Sequence, residues 1–157
     1  MGHAEGGCRD TVRVMTVSIR AASEVDDSLV DSFARLIPQL SSSSPAPSAA
    51  DLLAIVDNPN SVLFIAEVDG SVVGSLTLAF YRIPTGVKAW IEDVVVDDAA
   101  RGHGVGEALN LAAIEESRKR GAKNVSLTSR SSREAANRLY QRLGFEPYET
   151  NLYRFVL

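Results

Sequence analysis

The strongest constraint on the fold is the stretch from residue 94 to 109, which reads V-V-V-D-D-A-A-R-G-H-G-V-G-E-A-L. A β-branched run leads through an acidic turn and a glycine-rich loop into an amphipathic helix predicted to begin near Gly104. Gly102, Gly104 and Gly106 leave the backbone N–H groups uncovered. The first N–H groups of a helix lack internal partners and carry partial positive charge. The stretch therefore predicts either an anion site or a turn that packs a helix closely on a strand.

Arg101 lies beside this loop and offers a planar cationic fork of the kind that binds phosphate oxygens. The spacing G-x-G-x-G differs from the G-x-G-x-x-G of dinucleotide-binding folds. The chain also lacks the G-x-x-x-x-G-K-[ST] motif of nucleotide triphosphatases. Neither familiar nucleotide-binding class is favoured, and this stretch alone does not separate an anion site from a packing turn.

Length and composition predict one domain with its own core, because 157 residues with 45% hydrophobic content need no metal or disulfide for stability. A net charge of −4 gives no electrostatic reason to expect nucleic acid or an anionic membrane as partner. The single cysteine, Cys8, excludes an internal disulfide and fits a reducing compartment. No apolar run approaches the roughly 20 residues of a membrane helix, so we expect a cytoplasmic protein.

The amino-terminal part divides into a leader and the start of the domain. Residues 1–14 show no periodicity and are expected to be disordered or foreign to the native chain, with the domain covering residues 15–157. A first strand is predicted at residues 17–20, followed by a helix opened by Ser23 and Asp26. The serine-rich residues 41–50 predict a loop, either a solvated connector or a lid over a substrate site.

A second short helix is predicted where Ser48 and Asp51 form a capping pattern. Two β-rich runs at residues 61–68 and 72–81 are joined by Asp69-Gly70, the strongest hairpin signal in the chain. A further turn leads into a third antiparallel run at residues 87–96.

After these strands the pattern changes to alternating helices and strands. The helix from the glycine loop ends at Gly121, and residues 125–129 form a strand parallel to residues 87–96 through a right-handed crossover. Ser131 with Glu134 predicts the start of a last helix, which stops at Gly144. A terminal strand is predicted from Phe145 through Tyr148 and Tyr153 toward Val156. Its apolar end, residues 153–157, would suit pairing across a homodimer.

Two separated motifs give the chain a family resemblance. The loop R-G-H-G-V-G at residues 101–106 matches [RQ]-x-x-G-x-[GA], and A-N-R-L-Y-Q-R-L-G-F occupies residues 136–145. With the order of elements, these motifs resemble the GNAT superfamily of acetyl-CoA-dependent N-acetyltransferases from residue 17 onward. The resemblance implies an α/β (α+β) fold whose mixed central sheet has antiparallel N-terminal strands, then a β-α-β-α-β half, with helices on both faces.

The resemblance also implies where acetyl-CoA binds as co-substrate, with no metal. The strands at residues 87–96 and 125–129 would splay apart and admit the pantetheine arm, and the glycine loop would hold the pyrophosphate. Asn137 and Tyr140 of the last helix would face the pantetheine and the thioester sulfur. The full set of expected cofactor residues is Val94, Val95, Val96, Arg101, Gly102, His103, Gly104, Val105, Gly106, Asn137 and Tyr140.

Acetyl transfer to an amine needs a proton acceptor and a proton donor. An alkylamine with a pKa of about 10 is protonated at neutral pH, so a base must remove a proton. The departing thiolate is helped by a donor, and the hydroxyl of Tyr140 is our candidate acid. The alternative for Tyr140 is an aromatic side chain that only packs in the core.

Glu92 and Asp93 are the candidates for the base and for substrate binding, since they form a carboxylate pair within an apolar strand. Strand alternation predicts that their side chains point to opposite faces, so that only one reaches the amine directly. Glu92 is ranked first as base, acting directly or through water, and Asp93 would orient the substrate or close a structural hydrogen bond. The alternative for both is an ordinary solvated carboxylate.

The run W-I-E-D-V-V-V-D at residues 90–97 is locally similar to glucosamine-6-phosphate N-acetyltransferases. That branch tends to carry L-D-C on the later strand, where this chain has L-T-S at residues 127–129. The basic residues Arg82, Lys88 and Arg130 are scattered and form no evident phosphate site. Amino sugars are therefore one candidate class among several.

Three functions remain open at this point. The first is N-acetylation of a small-molecule amine, supported by both motifs with Tyr140 and Glu92. The second is N-acetylation of a peptide or protein, which a serine-rich segment closing over the site would disfavour. The third is a non-catalytic acyl-CoA-binding regulator, which the presence of a candidate acid and a candidate base disfavours.

Overall fold

The computed structural model describes residues 15–157, which form one five-stranded mixed sheet with strands in sequence order. The first four strands pair antiparallel, and the fifth pairs parallel with the fourth. The strands are β1 (Val17–Ala21), β2 (Ser61–Val68), β3 (Ser71–Ile83), β4 (Gly86–Val96) and β5 (Val125–Ser126). The predicted leader and Cys8 lie outside the described residues.

Helices cover both faces of the sheet, as expected from the sequence. They are α1 (Asp27–Leu40), α2 (Ala49–Val56), α3 (Val105–Lys119) and α4 (Glu134–Arg142), with a short 3-10 turn at Asp98–Ala100. One core cluster lies between the sheet and α3, and a second lies between the sheet and the pair α1 and α2. Within residues 15–157, no helix combines the length and apolar character needed to cross a membrane.

The predicted side-chain caps are confirmed in one case and wrong in two. Ser48 and Asp51 form the expected capping box, with the Asp51 N–H donating to Ser48 Oγ at 3.2 Å. α1 is capped by Asp26, whose Oδ1 accepts from the Leu29 N–H at 2.8 Å, so the cap lies three residues after Ser23. The capping box predicted at Ser131 does not form, because α4 begins after Arg133 without a side-chain cap.

The hairpin between β2 and β3 is confirmed. Asp69 and Gly70 both adopt positive φ, at 50° and 77°. Two consecutive residues with positive φ are characteristic of the type I′ turn, whose twist matches that of the flanking strands. This turn fixes the register that carries β3 to the centre of the sheet.

A β-bulge interrupts β4 and reverses its alternation. Thr77 pairs with Glu92 and Ser75 pairs with Val95, so two residues of β4 oppose one residue of β3. Asp93 lies in the bulge with a φ of 50°, a left-handed conformation that aspartate tolerates better than most residues. Ile91 consequently packs in the core under α3, whereas Val95 packs in the core under α1 and α2.

The parallel strand is shorter than predicted, and the terminal strand is absent. β4 and β5 pair only at Ala89–Val125 and Trp90–Ser126. The chain beyond residue 126 then leaves β4, which is the splay implied by the family resemblance. The strand predicted from Phe145 toward Val156 is wrong for the single chain, because residues 145–157 form no strand.

Gly74 of β3 allows α3 to pack closely on the sheet. A Cβ atom at Gly74 would lie 2.9 Å from the Val95 carbonyl oxygen and 3.1 Å from Val105 Cγ1. The backbone oxygen is fixed by sheet pairing, so the clash is not relieved by rotation of a side chain.

We predict that Gly74→Ala lowers the free energy of unfolding by about 1–3 kcal/mol, because an added methyl group overpacks the core. Chemical denaturation measures this change. Ser71→Ala, at an exposed position of the same strand, is the matched control. A change in Gly74→Ala no larger than in the control would contradict the close packing.

Candidate active site

The start of α3 leaves its first N–H groups without a side-chain cap. The N-cap residue is Gly104, with a left-handed φ of 78° and no side chain to accept from the helix. Gly102 also has a positive φ, of 79°. The N–H groups of the first turn thus remain available to a bound anion, and the dipole of a 15-residue helix favours negative charge there.

This helix start forms one wall of a cleft of about 760 Å³, which we call the glycine-loop cleft. The end of β4, the glycine loop, the first turns of α3 and one side of α4 enclose it. Most of the expected cofactor residues line it, namely Val94, Val95, Val96, Arg101, Gly102, Gly104, Val105, Gly106 and Tyr140. These nine residues therefore lie together in one cleft, and their contacts with acetyl-CoA stay predictions.

Two features of the cleft wall fit an extended acyl-CoA molecule. Gly106 lies under α4, and a Cβ there would approach Leu139 Cδ2 to 3.2 Å and Val96 Cγ2 to 3.8 Å. Asn110, one turn further along α3, donates from Nδ2 to the Gly106 carbonyl at 2.8 Å. Its buried Oδ1 has no hydrogen-bond partner among the described residues, and buried acceptors are normally paired. The absence of a side chain at Gly106 thus lets Leu139 of α4 pack closely on α3, and Asn110 leaves one unused acceptor in the cleft wall.

Three of the expected cofactor residues either lie outside the lining of the glycine-loop cleft or interact with another residue of the chain. Arg101 lines the cleft but pairs with Asp98 at 2.9 Å, in an exposed ion pair that a phosphate would compete with. His103 is exposed in the loop and is not part of the cleft lining. Asn137 donates from Nδ2 to the Arg130 carbonyl at 2.9 Å and is likewise outside the lining. Their roles toward the cofactor stay predictions.

Sequence reasoning missed the arginines that α4 contributes to this cleft. Arg138 and Arg142 both line it, together with Arg133 at the helix start. Arg138 lies 3.8 Å from Glu134 and Arg142 lies 3.6 Å from Glu107, so both ion pairs are long and exposed. The spacing of four residues between Arg138 and Arg142 was the available signal, since it places both on one face of a helix.

A second cleft, of about 790 Å³, opens where β4 and β5 part, and we call it the strand-gap cleft. Residues 91–94 of β4 form one side, and residues 127–130 after β5 form the other. α1, the serine-rich residues 41–44 with Pro45 and Pro47, and Leu152 with Arg154 complete the lining. The serine-rich loop is therefore part of a cleft wall.

Tyr140 lies at the junction of the two clefts. Leu40, Val94, Arg133 and Tyr140 line both of them. The Tyr140 ring is half-buried and packs edge-to-face on Phe145, with ring centroids 5.8 Å apart. Burial raises the pKa of Tyr140 above its ordinary value of 10.0, and the nearby positive charge of Arg133 opposes this only in part. The hydroxyl keeps its proton at neutral pH, as a proton donor must.

Glu92 and Asp93 both line the strand-gap cleft. The bulge at Asp93 breaks the alternation on which the prediction of opposite faces rests. Both carboxylates are exposed, and neither forms an ion pair within residues 15–157. The same part of the chain holds no group of three or more His, Cys, Asp and Glu side chains placed for a metal ion.

Three arginines line the same cleft. Arg130 and Arg133 come from the segment between β5 and α4, and Arg154 comes from the carboxyl-terminal residues. None of the three forms an ion pair with another described residue. Of the three basic residues noted in the sequence, only Arg130 belongs to this set, and Arg82 and Lys88 are outside the lining of both clefts.

Comparisons with known proteins agree with this architecture. A glucosamine 6-phosphate N-acetyltransferase of Trypanosoma brucei brucei is 31% identical over 147 residues, covering 88% of this chain and 95% of that protein. An uncharacterized N-acetyltransferase of Methanocaldococcus jannaschii is 38% identical over 89 residues, 55% of this chain, and the match spans only 39% of that relative. An acetyltransferase fold solved from Agrobacterium tumefaciens superimposes with a TM-score of 0.78 at 26% identity, covering 88% and 99% of the two chains.

The family model of the GNAT acetyltransferases matches residues 27–145, from the start of α1 to the end of the second motif. This range includes the glycine loop, Tyr140 and the residues of β4 that line the two clefts. Because it spans well over half of the chain, the protein belongs to the GNAT family and is an acetyl-CoA-dependent N-acetyltransferase.

Proposed function

We propose that the protein transfers the acetyl group of acetyl-CoA to a primary amine of a small molecule. Acetyl-CoA would lie in the glycine-loop cleft and the amine in the strand-gap cleft. The observation that carries this proposal is the position of Tyr140, which lines both clefts and so lies where a thioester and an amine would meet. Bound acetyl-CoA supplies an activated acyl group, and the chain supplies positioning and proton transfer.

The first N–H groups of α3 would bind the pyrophosphate, with Arg101 and the arginines of α4 close to the cofactor's remaining charge. Backbone groups of residues 94–96 would position the pantetheine arm along the end of β4. These contacts would hold the thioester beside Tyr140, because the arm then runs from the glycine loop toward the junction of the clefts.

The reaction requires a C–N bond to form while the C–S bond breaks. Glu92, directly or through water, would accept a proton from the amine nitrogen. The departing thiolate would take the hydroxyl proton of Tyr140, which later regains one from solvent. The raised pKa of Tyr140 supports the donor role, since the proton is present throughout the neutral range.

A small acceptor is favoured over a peptide or protein by the wall of the strand-gap cleft. Residues 41–44 with Pro45 and Pro47 line the cleft beside α1, so this loop forms one wall of the space proposed for the acceptor. A non-catalytic acyl-CoA regulator is disfavoured because the cleft junction holds a candidate acid, with two carboxylates in the adjoining cleft.

The charges of the strand-gap cleft favour an amine that also carries an anionic group such as phosphate. Glu92 and Asp93 would attract the ammonium group, and Arg130, Arg133 and Arg154 would bind the anion. A guanidinium fork suits the oxygens of a phosphate monoester. The relative from Trypanosoma brucei brucei is named for glucosamine 6-phosphate, and this compound therefore heads the list of acceptors to test.

We expect Tyr140→Phe to lower kcat by about 10²–10⁴-fold with little change in the KM for acetyl-CoA, because general-acid assistance is lost while the ring still packs on Phe145. Thiol release in the presence of an amine measures this effect. Because the pKa of Tyr140 is raised, any loss of the wild-type rate through ionisation of Tyr140 should have its midpoint above the ordinary value of 10.0. A variant as active as wild type would remove Tyr140 from the acid role.

Glu92→Gln and Asp93→Asn should have different effects. We predict a fall in kcat of about 10²-fold or more for Glu92→Gln, because the base is lost. Asp93→Asn should mainly raise the KM for the amine, since asparagine tolerates the left-handed backbone of the bulge. Steady-state kinetics of both variants separate the two roles, and the opposite pattern would assign the base to Asp93.

Arg130→Gln tests the anionic group of the acceptor. We expect wild-type kcat/KM to be higher for glucosamine 6-phosphate than for glucosamine, and Arg130→Gln to reduce this preference by roughly 10-fold or more, as for loss of a charged hydrogen bond. Arg82→Gln, outside both clefts, is the matched control. Equal activity on both compounds in the wild type would argue for a neutral acceptor.

A further inference from the structure

Helix α3 buries one amide side chain, that of Asn110, which is 0% exposed. The other buried residues of this helix are apolar or small, namely Val105, Leu109, Ala113 and Ser117. Ser117 satisfies its hydroxyl by donating to the Ala113 carbonyl at 2.7 Å. Asparagine is a poor residue for a helix interior, so its place here has a reason other than helix propensity.

Only one half of the Asn110 amide has a partner. Nδ2 donates to the Gly106 carbonyl at 2.8 Å, and this bond determines which end of the amide is the donor. Oδ1 is the one buried side-chain nitrogen or oxygen atom within residues 15–157 that lacks a hydrogen bond. A buried acceptor without a partner destabilises the folded protein, because it has lost its hydrogen bonds to water. Such a group in a native protein calls for an explanation, and a ligand that binds there is one.

Asn110 lies in the wall of the glycine-loop cleft, one helical turn beyond Gly106. The two residues share one face of α3 and are about 6 Å apart along the helix axis. Asn110 is outside both sequence motifs of the family, at residues 101–106 and 136–145, so neither motif accounts for it. The unpaired acceptor is therefore a feature of this chain in a cleft that also reaches Tyr140.

The pantetheine arm is the part of acetyl-CoA that matches this acceptor. Under the proposed function, on which this inference rests, the pyrophosphate lies at the start of α3 and the thioester lies beside Tyr140. The arm joins these two groups and carries amide N–H groups, whereas the amino group of adenine is on the far side of the pyrophosphate. An amide N–H of the arm is therefore the donor that lies in the same part of the cleft as Asn110.

We propose that Asn110 Oδ1 accepts a hydrogen bond from an amide N–H of the pantetheine arm and so positions the thioester for transfer. Oδ1 is closed off from solvent in the free protein, so side chains of the cleft wall rotate aside when the arm enters. Leu139 lines the cleft, approaches Gly106 and is a side chain able to do so. Asn110 thus strengthens the binding of acyl-CoA and lowers the stability of the free protein, because its acceptor is paired only in the complex.

Calorimetric titration with CoA, which is not turned over, tests the contact without reference to activity. We expect Asn110→Leu to bind CoA about 3–10-fold more weakly than wild type, as for the loss of one hydrogen bond. Asn110→Ala should show a similar loss, which excludes crowding by the methyl groups of leucine as the cause. Ser117→Ala, at a buried position of α3 outside the lining of both clefts, is the matched control and should bind CoA as wild type does.

Titration with 3′-phospho-ADP tests which part of the cofactor Asn110 contacts, because this compound keeps the pyrophosphate and lacks the pantetheine arm. We expect wild type and Asn110→Leu to bind it with equal affinity. An equal loss of affinity for CoA and for 3′-phospho-ADP would overturn the contact with the arm.

Thermal unfolding of the free protein gives a second measurement with the opposite sign. We expect the midpoint of Asn110→Leu to lie about 2–4 °C above that of wild type, because the unpaired acceptor is removed and leucine is the better helix former. A midpoint below that of wild type would indicate that Oδ1 already has a partner in the free protein and would overturn the proposal. Unchanged CoA affinity in both Asn110 variants would overturn it and leave the proposed function in place, whereas a wild type that binds no CoA would overturn both.

Discussion

The β-bulge at Asp93 is the constraint on which the arrangement of the active site depends. One extra residue in β4 moves Val95 to the face opposite Ile91, and Glu92 and Asp93 beside it both line the strand-gap cleft. The bulge also lies just after the point where β4 and β5 stop pairing. A regular strand would continue the parallel ladder and close the gap in which the amine is proposed to bind. The bulge holds Asp93 in an unfavourable left-handed conformation beside the proposed acceptor site. Strained positions of this kind are common beside active sites.

The arrangement of the active site also depends on elements from distant parts of the chain, which come together around Tyr140. The glycine loop and α3 line the cleft proposed for acetyl-CoA, while α1, the serine-rich loop and residues 127–130 line the cleft proposed for the acceptor. α4 carries Tyr140 to the line where these walls meet. Acetyl transfer needs little more from the protein than two substrates held end to end, a base and a proton donor. The fold provides room for the two substrates because β4 and β5 separate and leave a cleft between them. Helices cover both faces of the rest of the sheet.

Local sequence signals were reliable where a few neighbouring residues decide the conformation. The Asp69-Gly70 turn and the Ser48 capping box formed as predicted, because each depends on φ values and hydrogen bonds within four residues. The caps expected at Ser23 and Ser131 failed, since Asp26 competes for the first and the second lies in a turn before α4. The sequence did not predict Arg133 and Arg154 as site residues, because they lie far apart in the chain. They line the same cleft only after the chain has folded.

The sequence by itself determined the family, the order of elements and the glycine loop, because motif spacing, hydrophobic periodicity and turn residues are local properties of the chain. It also predicted Tyr140 as the acid and the carboxylate pair as the source of the base, and these roles are part of the proposed function. Only the tertiary structure decided that Glu92 and Asp93 line one cleft, that three arginines line the same cleft, and that residues 145–157 form no strand. These features depend on strand register and on contacts between residues far apart in sequence, which alternation and spacing do not encode.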